Sequence, residues 1–261
     1  MAISGGPSPP VFSSGRPDLA LFGGAFNPIH LGHIALAAEI EGHLGLKRIL
    51  FIPTGEPPHK DPPDVSCGDR MTMVKLAISA HSGWDVTDIE CRTPGPSYTA
   101  RTIDLLDLCP SPFFVMGSDA FVDFWDWGDP ERILSRTHLV VVNRPGAVGD
   151  GVWKSLRTIL EAAQSPVESD NHLHPPGVFA PPNAGGRESC REIVWSLPLF
   201  GTTLRFLRID SPPVSSTELR RFLSENRHGI WKNLLPEPVK SYIVDRGLYA
   251  GSSGIGGFRA Y

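Results

Sequence analysis

The chain has 261 residues, of which 41% are hydrophobic and 20% charged, enough apolar surface for one large core or two small ones. A formal net charge of −4 excludes a general attraction to nucleic acid or anionic membranes, so any anion site has to be assembled locally. The four cysteines, Cys67, Cys91, Cys109 and Cys190, form no CxxC pair, which argues against a zinc centre or a disulfide framework and fits reduced thiols in a cytoplasmic protein.

Residues 1–18, rich in Gly, Ser and Pro, predict a disordered leader without the basic and apolar regions of a secretory signal. Nothing later has the length of a membrane span. From Leu19 short apolar runs alternate with helical stretches. LALF (19–22) and RILFIP (48–53) read as strands, and Leu36, Ile40 and Leu44 between them form the buried stripe of a helix that Gly45 caps. A helix is predicted over 69–81, a strand over 84–90 and a helix over 99–108. FFVMG (113–117) and HLVVVN (138–143) have the composition of short buried strands, with Trp-rich helical turns between them. Residues 165–192 lose apolar periodicity and read as an exposed insertion. A strand at 204–210, a helix from Ser216 or Thr217 and a last helix at 237–247 follow, with a loose tail over 251–261. This alternation predicts one α/β domain over 19–250, a Rossmann-like doubly wound parallel sheet with helices on both faces and a C-terminal helical segment.

The stretch GGAFNPIHLGH (23–33) begins where the first strand ends, at the carboxyl edge where ligands of parallel sheets collect. Gly23 and Gly24 admit a close ligand, Asn27 and Pro28 suit a turn or helix start, and His30 and His33 share one face of the first helical turn. Two imidazoles beside helix-start N–H groups favour a polyphosphate. The bland alternative is that the histidines cap the helix or fill a polar niche. A zinc pair is weaker, because a third ligand is lacking. Neither a GxxxxGK[ST] element, a GxGxxG loop nor a GxSxG elbow is present.

SSTELRR (215–221) places hydroxyls ahead of a helical run with Glu218 at capping-box distance from Ser215. Ser215, Ser216 and the following N–H groups form a neutral anion cradle, with Arg220 one turn in; the plain alternative is an ordinary cap followed by solvated arginines. TGEPPHK (54–60) leaves the second strand at the same edge, and Lys60 could reach a phosphate. In GSDAFVDFWDW (117–127), Asp119 is placed to accept from ribose hydroxyls, and Trp127 or Trp125 could either stack on a ring or fill the core.

Taken in order, GGAFNPIHLGH, FIPTGEPPHK, DRMTMVKLAI, SYTARTIDLL, FVMGSDAF with Trp127, VVNRPG, SSTELR and LLPEPVKSYIVDRGLY resemble the nicotinate mononucleotide adenylyltransferases of the HxGH nucleotidyltransferase superfamily, over about 19–250. The resemblance implies transfer of AMP from ATP, with Mg2+, to nicotinate mononucleotide, giving deamido-NAD and pyrophosphate. It implies that His30, His33 and Arg220 act on the ATP phosphates. Gly23, Gly24, Phe26, Gly117, Asp119, Ser215, Ser216 and Thr217 would complete the ATP site. Lys60, Tyr98, Thr99, Trp127 and Gly128 would bind the mononucleotide, Trp127 by stacking on the pyridine and the N–H groups around Thr99 and Gly128 by reading its carboxylate. Asn27 stands where bacterial members commonly have Asp, and the insertion is longer than usual in the family. The attacking phosphate is already an anion, which accounts for the lack of a catalytic carboxylate pair. Nicotinamide mononucleotide as acceptor, another HxGH transferase and a catalytically silent nucleotide sensor are the alternatives, and homo-oligomerisation is left open.

Overall fold

The structure is a computed structural model that describes residues 17–58, 61–143, 150–165, 192–209, 214–225 and 233–250. Almost all of the expected leader and of the expected insertion lies outside the described residues, as do the tail and Lys60.

Strands β1 (Leu19–Gly24), β2 (Arg48–Pro53), β3 (Trp84–Val86), β4 (Phe113–Gly117), β5 (His138–Asn143), β6 (Glu192–Leu197) and β7 (Thr202–Arg208) form one sheet in the order β3-β2-β1-β4-β5-β7-β6. Every neighbouring pair is parallel except β6 with β7. The sheet is therefore the expected doubly wound parallel one, with a single antiparallel strand at one edge. From β1 the chain winds outward through β2 and β3, then returns and winds the other way through β4 and β5. That reversal makes the carboxyl ends of β1 and β4 a topological switch point, where the connections diverge and leave a crevice.

Alternation along β1 divides the core between the two faces. Ala20 and Phe22 point to one face, where α1 (Leu31–Leu44) contributes Leu36, Ala37, Ile40 and Leu44, and α2 (Cys67–Ile78) contributes Met73, Val74 and Ile78. Leu19 and Leu21 point to the other, covered by α4 (Thr99–Leu106) and α6 (Pro130–Arg136) with Ala100, Ile103, Ile133 and Leu134, and by α7 (Asp150–Ala162) with Val152, Leu156, Ile159 and Leu160. Each fully buried aliphatic side chain in such a stripe stabilises the fold by roughly 1.5–3 kcal/mol. Gly45 terminates α1 in the left-handed region at φ 62°, as its position after the stripe predicts. The short α3 (Ile89–Arg92), α5 (Ser118–Phe121) and a 3-10 turn at Phe124–Asp126 lie in connections. Among the described residues, helices α8 (Ser216–Ser224) and α9 (Glu237–Asp245) follow, adding Leu219, Val239 and Ile243 to the first face.

The run 84–90 is not one strand. Pairing with β2 ends at Val86, and the chain turns into α3 after Asp88. The expectation of reduced thiols is also corrected, because Cys67 and Cys91 are joined in a disulfide. No CxxC spacing signalled it; the fold brings together two residues 24 apart in sequence. Among the described residues no helix is long and apolar enough to cross a membrane.

Candidate active site

At the end of β1 the chain makes a tight turn before α1. Phe26 takes a left-handed conformation, φ 45°, a costly choice for a bulky residue that tertiary packing has to enforce. Its ring is buried against Phe22, Phe51 and His33, with centroids 5.8, 5.7 and 5.2 Å away. Phe26 thus has only its main chain to offer a ligand, and its ring fixes the imidazole of His33 from below.

Helix α1 begins at Leu31, later than the Asn27–Pro28 start considered from sequence. His30 is its N-cap and His33 its third residue, and the His30 N–H donates to His33 Nδ1 at 3.2 Å. In neutral His33 the ring proton therefore lies on Nε2. The two rings stack with centroids 3.7 Å apart. The Leu31 N–H donates to the Leu234 carbonyl and the His33 N–H to the His30 carbonyl. Two of the first three amides of α1 are thereby committed inside the protein, and the expected row of helix-start donors is correspondingly shorter.

Helix α8 completes this group from the far end of the sequence. Ser215 is its N-cap, but its side chain makes no cap bond, so the capping box with Glu218 does not form. Instead Ser216 Oγ donates to the Pro28 carbonyl at 3.1 Å, and Arg220 Nη1 donates to the Asn27 carbonyl at 2.8 Å. Arg220 Nη2 also donates to Thr217 Oγ1 at 3.2 Å, which fixes the plane of the fork. His30, His33, Ser215, Ser216 and Arg220 are thus brought to one rim. Tyr249, from the segment after α9, donates its hydroxyl to Asn27 Oδ1 at 2.7 Å. Burial pushes the Tyr249 phenol well above its ordinary range, so it remains a donor.

The loop leaving β2 is clamped on both sides. The N–H groups of Gly55 and Glu56 donate to Ser97 Oγ at 3.1 and 3.2 Å, and the Ser97 N–H donates to the Glu56 carbonyl at 2.8 Å. Gly55 lies so close to the Glu90 carbonyl that a Cβ there would collide with it. The Glu90 carboxylate accepts from Thr102 Oγ1 at 2.7 Å, and burial raises its pKa. Arg70, 1% exposed, donates to the carbonyls of Ala25 and Thr54, each at 2.6 Å, and to that of Val65 at 3.3 Å. Beside it, Asp69 accepts from Ser66 and Tyr242, hydrogen bonds that hold its carboxyl below the usual carboxylate range and dock α9 on α2.

On the other side of the switch point, Gly117 ends β4 and Asp119 is exposed in the turn of α5. The β1–β4 register, which pairs Phe22 with Val115, puts Gly24 and Gly117 at one level. Trp127 is half-buried, edge-on to Phe114 at 6.3 Å and packed on Phe124 at 5.7 Å; Trp125 is likewise half-buried against the core. Tyr98 lies against Gly128 so closely that a Cβ on Gly128 would come within 2.8 Å of the ring. Tyr98, Gly128 and Asp129 border an open cavity of about 540 Å³ that runs along α4 past Arg101 and Asp104. Thr99, the first residue of α4, offers a helix-start N–H next to Tyr98 in the chain but does not itself line that cavity.

Sequence reasoning missed Arg70, Glu90, Ser97 and Tyr249. Arg70 carried the clearest signal, since the helical period places it with Met73, Val74 and Ile78 on the buried face of α2. A charge on such a stripe has to find partners.

Residues 21–222 match the model of the cytidylyltransferase-like family. A relative from Desulfatibacillum aliphaticivorans is 31% identical over 88% of this chain and 99% of its own length, and one from Coxiella burnetii strain RSA 331 is 34% identical over 89% and 98%; both carry the name "Probable nicotinate-nucleotide adenylyltransferase". Among solved structures, nicotinic acid mononucleotide adenylyltransferase of Plasmodium falciparum complexed with NaAD superposes with a TM-score of 0.57 at 17% identity, covering 89% of this chain and 97% of that one, a likeness of fold. The extent of these matches places the chain in the cytidylyltransferase-like family of nucleotidyltransferases, among the nicotinate-nucleotide adenylyltransferases.

Proposed function

We propose that the protein transfers the adenylyl group of ATP to nicotinate mononucleotide, forming deamido-NAD and pyrophosphate, a step of NAD biosynthesis. One observation carries this reading most: α8, almost two hundred residues downstream of the first loop, donates Ser216 and Arg220 directly to the carbonyls of Pro28 and Asn27 beside His30 and His33. Imidazole, hydroxyl and guanidinium donors gathered on one rim of the switch-point crevice suit a triphosphate. The names of the curated relatives supply the acceptor.

In the reaction, an oxygen of the mononucleotide phosphate attacks the α-phosphorus of ATP. The bond from that phosphorus to the bridging oxygen breaks, and pyrophosphate leaves with the electron pair. The nucleophile is ionised at neutral pH, so no side chain has to remove a proton. The protein aligns the two phosphates and stabilises charge on the equatorial and leaving oxygens. His33 donates from Nε2, Arg220 from the guanidinium edge facing the crevice, and the start of α8 completes the cradle, while His30, 2% exposed, stacks on His33 and holds its ring in place. Gly23, Gly24 and Gly117 leave room for the nucleotide, and Asp119 receives the ribose hydroxyls. Mg2+ enters as part of the ATP substrate, on its phosphate oxygens.

For the acceptor, Trp127 stacks on the pyridine and Tyr98 walls the pocket, while N–H groups at Thr99 and Gly128 face the ring substituent. Donors favour the carboxylate of nicotinate over the amide of nicotinamide. Lys60, on the segment after the clamped loop, takes the acceptor phosphate. Pyrophosphate release from ATP, measured against nicotinate mononucleotide, nicotinamide mononucleotide and other phosphate monoesters at equal concentration, tests the reading. Fastest turnover with nicotinate mononucleotide is expected; preference for any other acceptor would overturn it.

A further inference from the structure

The ladder between β1 and β2 runs from Leu19↔Arg48 to Gly24↔Pro53. Its last bond joins the Thr54 N–H to the Gly24 carbonyl at 2.9 Å. Beyond that bond the strands diverge, β1 into the loop that carries His30 and His33, β2 into the loop that leads toward Lys60. The divergence is where Arg70 acts: its two terminal nitrogens donate to Ala25 and Thr54, the next residue on each strand, both at 2.6 Å. A planar fork with fixed spacing between its donors takes over where the sheet's own hydrogen bonds stop.

Stability alone would be served more cheaply by an apolar residue at this point of the α2 stripe, because burying a guanidinium carries a desolvation cost. The chain instead satisfies the charge with three main-chain carbonyls, counting Val65, and with the nearby Glu90 carboxylate. Arg70 is 1% exposed, so it meets neither substrate. What it can control is the separation of two loops whose ligands have to react with each other.

We propose that Arg70 is a positioning residue for the transfer step, bridging the Ala25 and Thr54 carbonyls to set the separation of the triphosphate loop after β1 from the acceptor loop after β2. This rests on the assignment of the two loops made above. Each loop keeps its own contacts without Arg70: Ser216, Arg220 and Tyr249 hold the first, Ser97 the second. Loss of the fork therefore widens the gap while leaving each substrate its own subsite. An error of an ångström in the approach of nucleophile to phosphorus costs up to about a hundredfold in rate.

The test compares wild type with Arg70→Lys, which keeps the charge but replaces the two-pronged fork by one point donor, and with Arg70→Gln. Binding of a non-hydrolysable ATP analogue and of nicotinate mononucleotide is measured separately by calorimetry, and kcat by pyrophosphate release on protein shown to unfold cooperatively. The expected result is a kcat lower by about ten- to a hundredfold, with both separate dissociation constants close to wild type. Unchanged kcat in Arg70→Lys, a loss of kcat matched by equal losses of both affinities, or failure of both variants to fold would make Arg70 a structural residue only and overturn the proposal. Absence of turnover in the wild type would instead overturn the assigned reaction, so the two failures are distinct.

Discussion

The two sides of the crevice are built differently. The side proposed to hold the triphosphate is cross-braced by elements far apart in sequence: Arg220 and Tyr249 both end on Asn27, 193 and 222 residues away, and Ser216 ends on Pro28. The side proposed for the acceptor is formed by neighbouring loops, with Tyr98 and Gly128 at the surface and Trp127 half-buried. Rigid long-range bracing suits charge stabilisation in the transition state, where fixed donors avoid reorganisation. Loop edges resting on a scaffold suit recognition of one acceptor among several.

Substitutions on the two sides should therefore fail in different ways. The largest effect is expected for His33→Ala, which removes a donor to the phosphates and lowers kcat by roughly a hundredfold or more; steady-state pyrophosphate release checks it, and a folded variant with wild-type turnover would take His33 out of the mechanism. Arg220→Ala deletes both the proposed phosphate donor and the bond to Asn27, so kcat/KM for ATP should fall by about ten- to a hundredfold, with little change in KM for the mononucleotide. Trp127→Ala should show the reverse pattern: loss of a stacking face worth about 1–3 kcal/mol raises the mononucleotide KM by roughly tenfold, while the KM for ATP stays near wild type. A KM change shared equally by both substrates would erase the distinction between the sides.

Smaller effects concern stability. Burial raises the pKa of Glu90, so the native state holds that proton more tightly than the unfolded chain. Its contribution is present in full below the unfolded-state pKa and is lost as pH rises through the folded one. Glu90→Gln, whose amide oxygen still accepts from Thr102, should flatten the fall in melting temperature from mildly acidic to neutral pH; a slope equal to wild type would remove Glu90 as its source. The disulfide closes a loop of 24 residues, for which chain entropy predicts about 3 kcal/mol of stabilisation. Cys67→Ser should melt several degrees lower with turnover at low temperature unchanged, and an unaltered melting curve would contradict this.

The contrast between regions also explains what could be read from sequence. FFVMG and HLVVVN coincide with β4 and β5 to the residue, because central parallel strands are buried on both faces and stand out as short apolar runs. Helix α1 was legible from Leu36, Ile40, Leu44 and Gly45 for the same reason of periodicity. The edge strand β6 was not foreseen: its residues are mostly half-buried or exposed, and it follows a segment without apolar pattern. Helix α7 was also missed, although its buried residues recur at helical spacing. Of the candidate site, the motifs at 23–33 and 215–221 were visible as local clusters. Their bonds to each other, and the roles of Arg70 and Tyr249, were not, since a hydrogen bond from α8 or Tyr249 to Asn27 is a product of topology rather than spacing.

The central claim is that His33 and Arg220 act on a single triphosphate. A double-mutant cycle tests it most directly, with kcat/KM for ATP measured in wild type, His33→Ala, Arg220→Ala and the double variant, all shown to be folded. Residues serving one transition state are strongly non-additive, so the double variant is expected to lose much less than the product of the two single losses. A loss equal to that product would mean that the two side chains act independently, and would contradict the account.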